Sequence, residues 1–203
     1  MKVRFNWCNR TANYFVVFLK IVGVVCSPRL GGNTEILVKK ALTSAKEVGS
    51  NTQLITLSGK QIKPCDHCGA CYATGNCSIK DDMQDIYPHL LSADGIIIGS
   101  PVYFWSVTGQ AKVFIDRTYA LRHPTYRLEG KVGGAIVVAS TRGQVQTLAL
   151  INTFYLGQRM IPIHLGVDGR ASKKGEIIED IQAMTAADNL GKNMVKLITT
   201  LTS

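Results

Sequence analysis

Four of the six cysteines in this 203-residue chain fall within thirteen residues, as Cys65-x2-Cys68-x2-Cys71-x5-Cys77. Gaps of two residues let a chain curl so that three thiolates meet one small cluster. The longer gap, which contains Gly75, lets the fourth return to it. Soft thiolates select iron–sulfur clusters, zinc or copper(I). In two-cluster ferredoxins the fourth cysteine of such a run ligates the other cluster. This chain has no second set, so all four serve one site, and the spacing favours [4Fe–4S]. Zinc usually takes two C-x2-C pairs with a longer spacer between them, which this packed run fits poorly. Free thiols or transient disulfides are the other alternative. The crowding does not suit a disulfide framework, and it points to a reducing, cytoplasmic compartment. Cys26, at the end of an apolar run, reads as a core residue.

A second group of residues could hold a phosphate. Ser27-Pro28-Arg29-Leu30-Gly31-Gly32-Asn33-Thr34 follows an apolar run and stands directly before a helical pattern. A helix start offers free N–H groups and a positive dipole end. Ser27 and Thr34 add hydroxyl donors, Asn33 an amide and Arg29 a charged fork. The loop is neither G-x-G-x-x-G nor G-x-x-x-x-G-K-[ST], which disfavours a dinucleotide fingerprint and an NTPase loop. A single phosphate, as on FMN, suits it; an ordinary turn with Asn33 as N-cap is the plain alternative.

Three consecutive aromatics occur in Ser100-Pro101-Val102-Tyr103-Phe104-Trp105-Ser106. A flat apolar ligand such as isoalloxazine explains Pro101, Val102, Tyr103, Phe104 and Trp105 in one loop, because aromatic faces stack on it. A hydrophobic plug or a subunit contact is the alternative. Ser140-Thr141-Arg142-Gly143 supplies hydroxyls, a cation and a glycine; Ser140, Thr141 and Gly143 are candidates for the flavin edge.

The elements that must position these loops alternate. Strands are expected at Lys20–Cys26, Thr52–Leu57, Gly95–Gly99, Val132–Ala139 and Met160–Gly166. Helices are expected from Asn33, from an Asp81 N-cap to about Leu91, and over Gly109–Leu121, Gln144–Leu156 and Glu176–Leu201. Ser58–Lys80 is a loop holding the cysteines. Alternating strands and helices imply a parallel sheet covered on both faces, with the ligand past the carboxyl ends of the strands. The fold expected is α/β: a doubly wound three-layer sandwich with a five-stranded parallel sheet and a cysteine-rich loop after the second strand.

The length suits one domain. Residues 1–18 contain no acid and read as an N-terminal extension, mobile or a product of an overlong gene model, leaving 19–203 as the FMN domain. The apolar run at 14–26 contains Lys20 and is too short to span a bilayer. The net charge of +9 attracts acidic partners. The basic residues are scattered, so no nucleic-acid face and no membrane partner are expected.

The three strand-end loops resemble the NADPH-dependent FMN reductase branch of the flavodoxin-like superfamily. The cysteine run between them resembles the iron–sulfur flavoproteins of anaerobic microbes. The resemblance implies FMN across the three loops, a [4Fe–4S] cluster on Cys65, Cys68, Cys71 and Cys77, electron exchange with ferredoxin or a similar acidic carrier, and homo-oligomers. The segment 144–156 is apolar almost all round, which also suggests a homodimer or larger assembly. No Ser–His–Asp set or carboxylate pair is evident, and a redox protein needs none. The competing readings are an NAD(P)H-dependent FMN or quinone reductase with incidental cysteines, and a zinc-stabilised binding module.

Overall fold

The computed structural model describes residues 19–203; the proposed extension, residues 1–18, lies outside the described residues. The order along the chain is β1 (Lys20–Val25), α1 (Asn33–Glu47), β2 (Asn51–Thr56), α2 (Ala70–Thr74), α3 (Met83–Ser92), β3 (Gly95–Pro101), α4 (Gly109–Arg117), β4 (Val132–Ala139), α5 (Gln144–Gly157), β5 (Ile161–Pro162), β6 (Val167–Arg170) and α6 (Ile181–Thr202). All strand pairs are parallel, in the order β2-β1-β3-β4-β5, with β6 also on β4. The order reverses beside β1, which opens a crevice at the carboxyl ends of β1 and β3.

Alternate side chains of the central strands enter two separate cores. Val22, Val24, Ile96, Ile98 and Val137 pack under α3, α4 and α5. Ile21, Val25, Ile97, Ile136 and Val138 pack under α1 and α6. Continuous apolar runs such as Ile96-Ile97-Ile98 are what strands covered on both faces require. At the α1–α6 contact, a Cβ on Gly191 would lie 2.0 Å from the Ala41 carbonyl oxygen. Only glycine allows that approach.

The fifth strand differs from expectation. In place of Met160–Gly166, two short strands share the edge of β4: Ile161–Pro162 pairs with Val132 and Gly133, and Val167–Arg170 pairs with Ile136–Ala139. Residues 163–166 between them bulge. Gly166 there has φ +131°, and its Cβ would meet Leu148 at 2.5 Å. Asn152 Nδ2 holds the bulge by donating to the Leu165 carbonyl at 2.5 Å.

Two helix starts also shift. The last helix begins at Ile181 behind a 3-10 turn (Glu176–Glu179), because Asp180 Oδ1 accepts from Ala183 N–H at 3.0 Å and caps it there. The helix expected from Asp81 has Asp82 at its N-cap. Asp81 still accepts from Met83 N–H at 3.1 Å, but most of its carboxylate is turned to a buried arginine.

Candidate cofactor sites

Beyond the carboxyl ends of β1, β3, β4 and β6 lies a cleft of about 690 Å³, open solvent included. Of the residues expected there, Ser27, Arg29, Asn33, Thr34, Pro101, Val102, Tyr103 and Ser140 all line it. Gly32 is the N-cap of α1 and carries no side chain to cap the helix, so the first-turn N–H groups are left open toward the cleft. Thr34 is buried at the cleft wall, and Ser27 Oγ accepts from Arg29 N–H at 3.1 Å, which fixes the turn. Glu35 accepts from Gly31 N–H at 2.7 Å and pairs with Lys39 at 2.6 Å. The Lys39 hydrogen bond holds its carboxyl below the usual range against the opposing effect of burial.

Asn33 lines the cleft without capping the helix. Its amide binds the segment after β6, donating from Nδ2 to the Lys173 carbonyl and accepting at Oδ1 from Gly175 N–H, both at 2.8 Å. That segment brings Ala171, Ser172 and Lys174 into the cleft. These three were missed by sequence reading. Their signal was a Ser-Lys-Lys-Gly run, which reads as a strand-end loop only once Val167–Arg170 is recognised as a strand. Hydroxyls, open helix N–H groups and two cations, Arg29 and Lys174, fit the phosphate of a mononucleotide.

The aromatic loop divides. Tyr103 N–H donates to the Ser106 carbonyl at 2.8 Å and Ser106 N–H donates back at 3.1 Å, closing a two-residue turn. Phe104 (φ +45°) and Trp105 (φ +67°) occupy its tip. Large residues in that region cost about 1–3 kcal/mol each. Phe104 is 98 % exposed, and neither it nor Trp105 lines the cleft. Gly143 is buried behind the turn, where its Cβ would lie 2.8 Å from Val102 and 3.2 Å from the Trp105 Cα. Thr141 is exposed and outside the cleft lining. The structure therefore gathers eight of the twelve expected flavin residues around the cleft and places Phe104, Trp105, Thr141 and Gly143 at its rim or behind it.

The cysteine segment follows β2 and contains α2, a single turn flanked by left-handed Gly69 and Gly75. Cys65, Cys68, Cys71 and Cys77 line one cavity together with Tyr72, Tyr119 and Arg117. Burial pushes the Cys71 thiol up, and the other three cysteines push it the same way. Four soft donors facing one space fit a thiolate-bound metal group. Even so, no three Cys, His, Asp or Glu side chains among the described residues are gathered at metal-holding geometry. Cys68 Sγ instead contacts Ser78 Oγ at 3.2 Å. Cys26 is fully buried at the end of β1, and burial pushes its thiol well up, as a packing residue requires. Ser58 Oγ donates to the Pro28 carbonyl at 2.9 Å, which ties the start of the cysteine segment to the Ser27–Thr34 loop.

Comparison with known proteins identifies the family. The model of the family described as NADPH-dependent FMN reductase matches residues 19–167. An iron–sulfur flavoprotein of Methanocaldococcus jannaschii is 38 % identical over 189 residues, covering 89 % of this chain and 97 % of its own. An iron–sulfur flavoprotein of Methanosarcina thermophila is 40 % identical over 136 residues, covering 66 % of this chain and 71 % of its own. The crystal structure of a WrbA-like flavodoxin from Agrobacterium tumefaciens superposes with a TM-score of 0.65 at 17 % identity, over 90 % of this chain and 98 % of that one, and shows the shared fold. Among the described residues no helix is long and apolar enough to cross a membrane. The chain is a flavin redox protein with an FMN reductase domain, and it belongs to the iron–sulfur flavoprotein family of the flavodoxin-like superfamily.

Proposed function

We propose that this protein transfers electrons between a one-electron carrier, such as ferredoxin, and an acceptor, using FMN in the strand-end cleft and a [4Fe–4S] cluster on Cys65, Cys68, Cys71 and Cys77. The observation that carries the reading is that all four thiols line one cavity, in a segment hydrogen-bonded to the phosphate loop. Together the two groups would supply exchange between one-electron and two-electron chemistry. The chain's own residues do the rest. Open N–H groups of α1, Ser27, Arg29 and Lys174 hold a phosphate; Tyr103 and Val102 wall the ring side of the cleft; the left-handed glycines of the cysteine segment let the thiols face one space. The test is anoxic purification with iron, sulfide and FMN assays, followed by Cys68→Ser, which should lower the iron content and leave FMN bound.

The basic surface suits an acidic carrier, so added salt should slow the exchange; a rate independent of ionic strength contradicts electrostatic docking. A homodimer or larger assembly is supported by α5, whose Leu148, Ile151 and Tyr155 are buried while Val145 and Leu156 stay exposed. Light scattering that finds a monomer ends that part. A second reading, an NAD(P)H-dependent FMN or quinone reductase with no functional cluster, draws on the ungathered thiols. NAD(P)H turnover by iron-free protein would favour it.

A further inference from the structure

Arg117, in the last turn of α4, is the largest fully buried side chain among the described residues. Its Nη1 donates to the Lys63 carbonyl at 2.8 Å and to Asp81 Oδ2 at 2.5 Å. Its Nη2 donates to the Ile79 carbonyl at 3.3 Å and to Asp81 Oδ1 at 3.0 Å. Asp81 in turn accepts from Lys63 N–H at 2.8 Å. Lys63 stands two residues before Cys65, and Ile79 two residues after Cys77. One guanidinium thus closes the cysteine segment at both ends. Four of its five N–H donors are occupied. The fifth, Nε–H, is buried with no acceptor among the described residues, and Arg117 lines the same cavity as the four thiols. A buried donor without an acceptor is costly, and natural structures rarely leave one.

We propose that Arg117 is the positioning residue of the cysteine site: it pre-forms the loop before metal arrives, and its Nε–H donates to a metal-bound thiolate sulfur once the site is filled. This rests on the reading that the four cysteines hold an iron–sulfur cluster. Groups that orient metal ligands typically change metal affinity about 10–100-fold. A hydrogen bond to a cluster sulfur stabilises the more negative, reduced state and so raises the potential.

Two variants test it, Arg117→Lys and the double change Arg117→Gln with Asp81→Asn. Both leave the net charge of the pair as it was, so a change in potential reports the lost N–H donor. The double variant strands no buried charge and is the one to use if the lysine variant folds poorly. FMN titration reports folding, since the flavin cleft does not include Arg117. In the metal-free protein, hydrogen exchange at residues 63–81 should quicken in the variants. After reconstitution, iron should be lost to a chelator at about 10–100-fold lower chelator concentration, and the cluster midpoint should be more negative. Variants that bind FMN, keep the wild-type exchange pattern, resist chelator equally and share the wild-type midpoint overturn the proposal. Wild-type protein that takes up no iron overturns it together with the cluster reading, and that control separates the two failures.

Discussion

The side-chain oxygen of Asn33 accepts the Gly175 backbone N–H at 2.8 Å, across 142 residues of sequence. This bond joins the first turn of the first helix to the loop after the last strand. It makes the end of the cleft beside the Ser27–Thr34 loop a two-sided structure, with Arg29 on one side and Lys174 on the other.

Lys174→Gln should therefore weaken FMN binding about 10–100-fold, the loss expected for one charge-assisted hydrogen bond of about 1.5–3 kcal/mol. Riboflavin, which lacks the phosphate, should bind the variant and the wild type equally. Flavin fluorescence titrations with both ligands check this; an equal loss for both would place Lys174 elsewhere. Asn33→Ala should act in the same direction by freeing the loop that carries Lys174.

Tyr155 is fully buried, and its hydroxyl accepts from Ile98 N–H at 3.0 Å and donates to the Gly134 carbonyl at 2.7 Å, bridging β3 and β4. Tyr155→Phe removes this hydroxyl bridge and should cost about 0.5–1.5 kcal/mol. A urea midpoint that falls with an unchanged slope is the expected result.

Gly191→Ala drives a methyl group into the Ala41 carbonyl, which lies 2.0 Å from the new Cβ position. Helices α1 and α6 must separate, so the loss should be at least about 1–3 kcal/mol. Because α1 also carries the phosphate loop, FMN affinity should fall with stability; unchanged thermal stability would contradict the tight α1–α6 packing.

Asp81 governs part of the acid response. Burial raises its pKa, but the Arg117 guanidinium and the backbone N–H groups of Lys63 and Met83 outweigh that, and its carboxyl is held below the usual range. Between the folded and unfolded values the unfolded chain binds the extra proton. The stabilisation is therefore complete above about pH 4, the ordinary carboxylate value, and is lost as pH falls through the lower folded value. Asp81→Asn should flatten this acid limb and, by leaving Arg117 buried and unpaired, cost about 3–5 kcal/mol at neutral pH. Asp188, held down chiefly by hydrogen bonds from Lys192, Lys40 and Ser44, should keep its own acid dependence in that variant. Denaturant melts from pH 2 to 7 measure both.

The signals that were legible in the sequence were local ones. The Ile96–Ile98 and Val132–Ala139 runs announce strands buried on both faces, and the loops behind them carry the polar residues of the cleft. What escaped depends on distant partners. Arg117 is a charged residue in a helix whose buried state is set by Asp81, 36 residues away, and Asp81 by itself reads as a helix cap. The division of the fifth strand into β5 and β6 follows from a bulge that packs Gly166 against Leu148, and this hid the Ser172–Lys174 side of the cleft. Phe104 and Trp105 read as flavin-stacking residues by type; the backbone sets them at the tip of a tight turn next to Tyr103, which lines the cleft, and that turn was not legible in the sequence.

The central claim is that one chain holds a flavin and an iron–sulfur cluster at neighbouring loops. Anoxically purified and reconstituted protein, assayed for iron, inorganic sulfide and FMN, should contain about four iron and four sulfide for each FMN, with Cys68→Ser losing the iron and keeping the flavin. Protein that binds FMN fully yet holds no iron or sulfide after reconstitution would contradict the account.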